Sequence, residues 1–384
     1  MSKLNVAIFC MGSLGGSSEV AVNLALALRA NGHDCDVFAY ENAMQERLLR
    51  EGIRIRTPNS LSYAIFDHIQ TDFGFLVAFD KLHKKKPYDI IHVHYAVPLI
   101  HVMSNLRDIY GIPCVVTFHG SDVTIVPDLF DVSMLTKLVE KAEASVTVAS
   151  RFLADSVEKV YKLERSRIHL IPNTIAPEFF GEFARKREEP PYFVHVSGLR
   201  PVKRVWDIVL AMCCLRKKLA HGATNAAPRL KIIGDGPDLP DLHLLSEKCG
   251  LHDDVDFLGQ IDERREVASI VSSADALILS SLTESQPLVI LESMAVGTPV
   301  ICSSFTSAPE LIGENGERGW IFEIGDSQAL ARIMQDVIES PEMAVQRAVR
   351  AREWVLREHH MDAVTKAYVD LYGDAIVEDS KRSL

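Results

Sequence analysis

Ala276-Leu277-Ile278-Leu279-Ser280-Ser281-Leu282-Thr283-Glu284-Ser285-Gln286-Pro287-Leu288-Val289-Ile290-Leu291-Glu292 is the stretch on which the reading of this chain turns. Its first residues form an apolar run of the kind that makes a strand buried on both faces of a parallel sheet. Pro287 suits the first turn of a helix, where a missing N–H costs nothing. The segment therefore reads as a strand, a turn and a helix N-terminus, with Glu284 and Glu292 on either side of the turn. A helix N-terminus at such a place in an α/β sheet attracts anions. Two carboxylates beside it can accept hydrogen bonds from a ligand's hydroxyls. A sugar nucleotide, with an anionic diphosphate between two hydroxyl-rich rings, fits that layout. Acids also favour helix starts through the dipole alone, so the two glutamates need support from the rest of the chain.

The strand–helix rhythm extends in both directions. Strand-like runs occur at Asn5 to Cys10, Asp36 to Ala39, Ile90 to Val93, Cys114 to Phe118, Ser145 to Ala149 and Ile168 to Ile171. A second set occurs at Tyr192 to Val196, Arg229 to Ile233, Val255 to Leu258, Ala276 to Ser280, Val300 to Ser303 and Trp320 to Phe322. Helix-like stretches separate them, the pattern of parallel sheets with helices on both faces. At 384 residues the chain exceeds one ordinary core. The expectation is an α/β protein of two Rossmann-like, doubly wound domains facing across a cleft: residues 1–182 and 190–360. The charged, proline-bearing stretch Phe183 to Pro191 reads as the linker. The segment 361–384 reads as a C-terminal helix that could pack back on the first domain, with Val364, Tyr368, Leu371 and Tyr372 on one apolar face and a frayed end from Glu378.

Composition limits the function classes. The formal charge of −11 argues against a general nucleic-acid or anionic-membrane binder. No signal peptide and no membrane-spanning window is visible. Seven scattered cysteines without a Cys-x-x-Cys pair suit a reducing cytoplasm, and neither a disulfide framework nor a zinc site.

Five further constellations lie at strand ends. Gly12, Gly15 and Gly16, followed by Ser17, Ser18 and Glu19, allow close backbone approach before a helix expected to begin near Glu19. Their spacing is not that of the dinucleotide fingerprint. Arg200 and Lys203, after the strand that opens the second half, can neutralise a diphosphate. His119, in Thr117-Phe118-His119-Gly120-Ser121-Asp122, stands where a catalytic group would sit, with Asp122 able to orient it. His92 and His94 share a strand face, but no third ligand lies near, so no metal is assigned. Gly234-Asp235-Gly236-Pro237 is a turn by its chemistry.

Taken together, the spacing of Glu284 and Glu292, the Gly15-Gly16 loop, the Thr117-Phe118-His119-Gly120 segment and the Lys203 turn resemble the retaining family-4 glycosyltransferases of the GT-B fold. The resemblance runs over nearly the whole chain. It implies transfer of a hexose, N-acetylglucosamine, from a UDP-sugar to an acceptor hydroxyl, such as that of a small hydroxy acid like L-malate. It implies no cofactor and no metal. Arg200 and Lys203 would bind the diphosphate, Glu292 and Leu288 the nucleotide, and Glu284 the donor hexose. Gly15 and Gly16 would flank the donor phosphate, and Ser17, Tyr95 and Thr117 would line the acceptor pocket. His119 would sit by the anomeric carbon.

The chain departs from that pattern in places. Gln286-Pro287 stands where many members have Phe-Gly, and Thr306-Ser307-Ala308 replaces a Gly-Gly before Pro309-Glu310. Glu19 places a negative charge on the acceptor side, which opposes an anionic acceptor. A cell-envelope transferase with a lipid-linked or glycan acceptor, and a sugar-nucleotide epimerase of the same fold, therefore stay open beside a small-molecule acceptor. So does association with a membrane, and the oligomeric state is not specified.

Overall fold

The computed structural model describes residues 3–13, 15–41, 43–58, 71–129, 131–183, 188–219 and 228–382. Each of the apolar runs quoted above becomes a strand. The first sheet contains Asn5–Cys10 (β1), Asp34–Ala39 (β2), Ile55–Arg56 (β3), Ile90–His94 (β4), Cys114–Thr117 (β5), Ser145–Val148 (β6) and Ile168–Leu170 (β7). It is 7-stranded, in the order β3-β2-β1-β4-β5-β6-β7. The second contains Tyr192–Val196 (β8), Arg229–Ile233 (β9), Val255–Gly259 (β10), Ala276–Leu279 (β11), Val300–Ser303 (β12) and Trp320–Phe322 (β13). It is 6-stranded, in the order β10-β9-β8-β11-β12-β13.

Adjacent strands pair in parallel in both sheets. Parallel pairing forces a crossover after each strand, and helices supply most of them. The central strands β1, β4 and β11 are buried along their whole length. Their sequences consequently lack an alternating polar face. In each sheet the order reverses beside the first strand of its set, β1 or β8. Ligands of open α/β sheets bind at such switch points, beyond the carboxyl ends of the strands.

Two compact units divide the chain. One holds the residues up to Thr174 together with those from His360 onward, and the other is Ile175–His359. The crossing thus comes earlier than the end of a 1–182 domain. Ile175, Ala176 and Phe179 are apolar and bury in the core of the second unit, so Ile175 to Glu182 belongs there. Part of the expected linker, 184–187, lies outside the described residues.

The C-terminal helix Met361–Arg382 continues past the expected fraying point at Glu378. Val364, Tyr368, Leu371 and Tyr372 bury with Ile8, Ile90 and Val115 of the first unit. Among the described residues no helix is long and apolar enough to cross a membrane.

Candidate functional site

In the second unit, β8 runs into the loop Ser197 to Arg200, a 3-10 turn Pro201–Lys203 and the helix Val205–Leu219. The turn after β9 braces this loop. Leu199 N–H donates to the Asp235 carbonyl at 2.8 Å, and Asp238 N–H donates to the Leu199 carbonyl at 3.1 Å. Gly234 (φ +130°) and Gly236 (φ +157°) lie flat against it, and a Cβ would stand 1.9 Å from the Ser197 carbonyl oxygen and 2.3 Å from that of Leu199. Glycine is required at both positions to hold the basic loop in place.

Lys203 Nζ lies 2.5 Å from Glu284 Oε1, with the side chains 17% and 14% exposed. The Ser281 hydroxyl donates to the same oxygen at 2.7 Å. Ser307, in the tripeptide that replaces the family's Gly-Gly, donates to the Glu284 carbonyl at 2.9 Å. Ser280 Oγ reaches the carbonyls of Lys203 and Arg204 at 2.8 and 2.9 Å, and Leu282 N–H reaches that of Val202 at 2.8 Å. The loops after β8 and β11, neighbours in the sheet, are thus stitched together. Arg200 is exposed and makes no ion pair among the described residues. Arg204 pairs with Asp207 at 2.8 Å and stacks on Trp206.

Helix Leu288–Ala295 starts one position after Pro287, which is its cap residue, and Leu288 is half-buried. Glu292 is buried and pairs with Arg264, the first residue of helix Arg264–Ser273. The Arg264 guanidinium sits 5.0 Å over the Phe179 ring. Sequence reasoning missed Arg264. In Glu263-Arg264-Arg265 it looks like one solvated charge among others, and only the fold brings Glu292 to it.

In the first unit, helix Gly16–Ala30 begins at Gly16, ahead of the start expected near Glu19. Gly12 (φ +77°) is required sterically, since a Cβ would stand 2.1 Å from the Glu41 carbonyl oxygen. Gly15 is extended, and nothing lies within 4 Å of a Cβ placed on Gly15 or Gly16. Packing within the protein does not require glycine at these two positions. Ser18 is buried and accepts the Gly12 N–H at 3.1 Å, whereas Ser17 is half-buried. The Glu19 charge is compensated, for Arg47 lies 2.8 Å away and also reaches Asn23 Oδ1 at 2.8 Å.

His119 caps the short helix Gly120–Thr124. Its ring accepts the Asp122 N–H, and its own N–H donates to Asp122 Oδ2 at 2.7 Å. Asp122 therefore fixes His119 through the backbone, not through a carboxylate–imidazole contact. With Nδ1 accepting, the proton of the neutral ring sits on Nε2. Nε2 is buried and has no partner among the described residues. Burial lowers the His119 pKa to about 4 and raises that of Asp122 to about 7, partly offset for Asp122 by the backbone amides of His119, Val97 and Ala96.

Tyr95 has φ +81° at the start of helix Ala96–Tyr110. Its hydroxyl donates to Ser121 Oγ at 2.6 Å, and its ring lies 6.2 Å from that of His119. Tyr95, His119 and Ser121 thus form one cluster.

Thr117 does not line an open pocket. It is 2% exposed, and its hydroxyl is engaged by His92 Nε2 at 2.7 Å and Thr147 Oγ1 at 2.6 Å. His92 Nδ1 meets the Tyr372 hydroxyl at 2.7 Å. Both nitrogens of His92 are thereby occupied, whereas those of His94, whose ring centroid lies 4.3 Å from that of His92, are buried with no hydrogen-bond partner among the described residues. His195 is likewise structural, between the Ile278 carbonyl at 2.8 Å and Ser197 Oγ at 2.7 Å.

Known proteins match this arrangement along its length. The model for Glycosyltransferase Family 4 matches residues 14–179, and that for Glycosyl transferases group 1 matches residues 178–354. The N-acetyl-alpha-D-glucosaminyl L-malate synthase of Bacillus anthracis is 26% identical over 387 residues, covering 98% of each chain. Among solved structures, Anabaena HepE in complex with UDP and glucose superposes with a TM-score of 0.75 at 19% identity, over 97% of this chain and 100% of that one. An S. aureus TarM mutant in complex with fondaparinux, alpha-GlcNAc-glycerol and UDP gives 0.77 at 12% identity, over 96% and 99%. With two parallel-sheet, Rossmann-like units and these matches end to end, the chain belongs to the family-4, group 1 glycosyltransferases of the GT-B fold.

Proposed function

We propose that this glycosyltransferase moves N-acetylglucosamine from its UDP derivative to the hydroxyl of a small hydroxy acid, L-malate, with retention at the anomeric carbon and without a metal. The observation that carries the reading is the Lys203–Glu284 pair, 2.5 Å apart at the carboxyl ends of neighbouring strands. It sets a cation for phosphate beside an acid for sugar hydroxyls. The choice of donor and acceptor follows the full-length likeness to the malate synthase of Bacillus anthracis. The UDP bound in the HepE and TarM structures supports the nucleotide. The objection to an anionic acceptor falls away, because Glu19 is paired with Arg47.

In this reading the bond from the anomeric carbon to the β-phosphate oxygen breaks as the acceptor oxygen bonds to the same face. The leaving phosphate takes the acceptor's proton. Lys203 and Arg200 stabilise the charge that builds on the phosphate, and Glu284 orients the hexose. Glu292 holds the ribose hydroxyls, with Leu288 beside the nucleotide. Nε2–H of His119 offers a donor to the reacting sugar. Gly15 and Gly16 leave room for a phosphate, and Ser17 and Tyr95 serve the acceptor. The reading places the enzyme in the cytoplasm, in keeping with free thiols at all seven cysteines.

The test is UDP release from UDP-N-acetylglucosamine and UDP-glucose, each against malate, inositol phosphate, amino-cyclitols and lipid-linked acceptors. Release with UDP-N-acetylglucosamine and malate, unchanged by EDTA and giving an α-linked product by NMR, is expected. Turnover restricted to lipid-linked acceptors selects the cell-envelope alternative. Isomerisation of UDP-sugar without acceptor selects the epimerase.

A further inference from the structure

Beneath the His119 loop runs a buried chain of side-chain hydrogen bonds that sugar transfer as described above does not use. It starts on the C-terminal helix at Tyr372, whose hydroxyl lies 2.7 Å from His92 Nδ1. His92 Nε2 lies 2.7 Å from Thr117 Oγ1, which lies 2.6 Å from Thr147 Oγ1. Tyr372, His92 and Thr147 are fully buried and Thr117 nearly so. The ring of Tyr368 packs 5.3 Å from that of His92. A single segment, the helix Met361–Arg382, thus reaches through β4 to β5 and β6.

Burial keeps His92 neutral, with its pKa down at about 3, and keeps Tyr372 protonated, its pKa well above the usual value. A neutral imidazole carries one N–H. One ring nitrogen of His92 therefore donates and the other accepts, with Tyr372 and Thr117 as the two partners, and the Tyr368 hydroxyl joins Thr117 and Thr147 at the far end.

The backbone groups of the same threonines hold the two loops of the site. The Thr117 carbonyl accepts the Tyr95 N–H at 3.1 Å, where the chain takes its positive φ, and the Thr147 carbonyl accepts the Phe118 N–H at 3.0 Å, one residue before His119. Deleting the Tyr372 hydroxyl would leave a buried nitrogen unpaired and free the ring of His92 to move.

We infer that Tyr372 is a positioning residue for sugar transfer, acting through His92 and Thr117 on the backbone that sets Tyr95 and His119. The inference rests on the transferase reading above. These contacts all lie in the first unit, whereas Arg200, Lys203, Leu288 and Glu292, assigned to the nucleotide, lie in the second.

The experiment compares wild-type protein with Tyr372→Phe, Thr147→Val and Thr147→Ser, using UDP-N-acetylglucosamine and L-malate, with Tm measured alongside. Tyr372→Phe keeps the ring and its packing. Its kcat should fall between about ten- and a hundredfold, the cost of sub-ångström to ångström misplacement of reacting groups. The KM for UDP-N-acetylglucosamine should stay within about twofold, since the nucleotide contacts are untouched. Thr147→Val, isosteric but without the hydroxyl, should follow it, and Thr147→Ser should keep wild-type kcat. A lowered Tm with wild-type kcat in Tyr372→Phe would mean a purely structural chain and overturn the inference. So would equal losses in Thr147→Val and Thr147→Ser. Wild-type protein without turnover on malate or any acceptor of the screen sinks the transferase reading itself.

Discussion

Replacing Arg264 by Met should separate stability from nucleotide binding in the second unit. Glu292 and Arg264 are 5% and 18% exposed at their side chains, so the pair is largely out of water. Breaking a buried pair from one side costs up to about 3–5 kcal/mol, because the remaining charge loses its paired cation. The residual exposure of Arg264 lets water recover part of that, and the stack on Phe179 adds under about 1 kcal/mol, which leaves about 3 kcal/mol. In a unit of this size 1 kcal/mol moves Tm by about 2–4 °C, so the fall should be about 6–12 °C. The double variant Arg264→Met/Glu292→Leu removes both charges and should regain most of that Tm, since apolar replacement of a buried pair is close to neutral. It should not regain UDP affinity, which calorimetry would record as weakened by the loss of Glu292. A drop below about 2 °C in the single variant, or a double variant as unstable as the single, would refute the account of Arg264 as the ion-pair partner that stabilises buried Glu292.

His119→Ala should leave UDP affinity unchanged by calorimetry while lowering kcat by about a hundredfold or more, in the range lost with a single buried donor to a reacting centre; weakened UDP binding would remove His119 from the reacting end. Asp122 has its pKa raised by burial from 3.8 to about 7, so the folded state binds that proton more tightly than the unfolded chain does. Its contribution to stability is full below about pH 4 and is lost as pH rises to about 7. Urea titrations at pH 5 and pH 8 should show wild type losing more than about 1 kcal/mol relative to Asp122→Asn, and a parallel pair of curves would contradict the assignment. Gly236→Ala places a Cβ 2.3 Å from the Leu199 carbonyl oxygen at a φ of +157°. It should displace the loop that carries Arg200 and Lys203, costing about 1–3 kcal/mol of stability and weakening UDP binding. Wild-type values for both would show that the loop does not depend on the glycine.

Most of the fold was legible because central parallel strands are buried on both faces, which leaves unbroken runs such as Ala276-Leu277-Ile278-Leu279. Ile55–Arg56 escaped notice because two residues at a sheet edge carry no such pattern. Glu284 and Lys203 could be picked out singly from their places at strand ends, but their contact spans 81 residues of chain and no local rule foretells it. Thr117 shows the opposite failure. The family resemblance implied an accessible side chain, yet alternate residues of a strand face opposite sides, and Thr117 points to the interior. Arg264 could not be separated from solvated helix charges, because burial of a cation depends on which distant acid the fold delivers. The domain boundary slipped for a simpler reason: charge and proline marked Phe183 to Pro191, while the apolar residues that fasten to the second core begin before it.

The return of the last helix to the first unit bears on the order of synthesis. Domains usually fold in sequence as they leave the ribosome. Here the second unit, Ile175–His359, is contiguous and complete before the first, whose Ile8, Ile90 and Val115 wait for Val364 and Tyr372 to cover them. A nascent chain that has emerged only to His359 therefore carries a finished C-terminal lobe behind an N-terminal lobe with an uncovered greasy face. That face is the surface a chaperone would guard until translation ends.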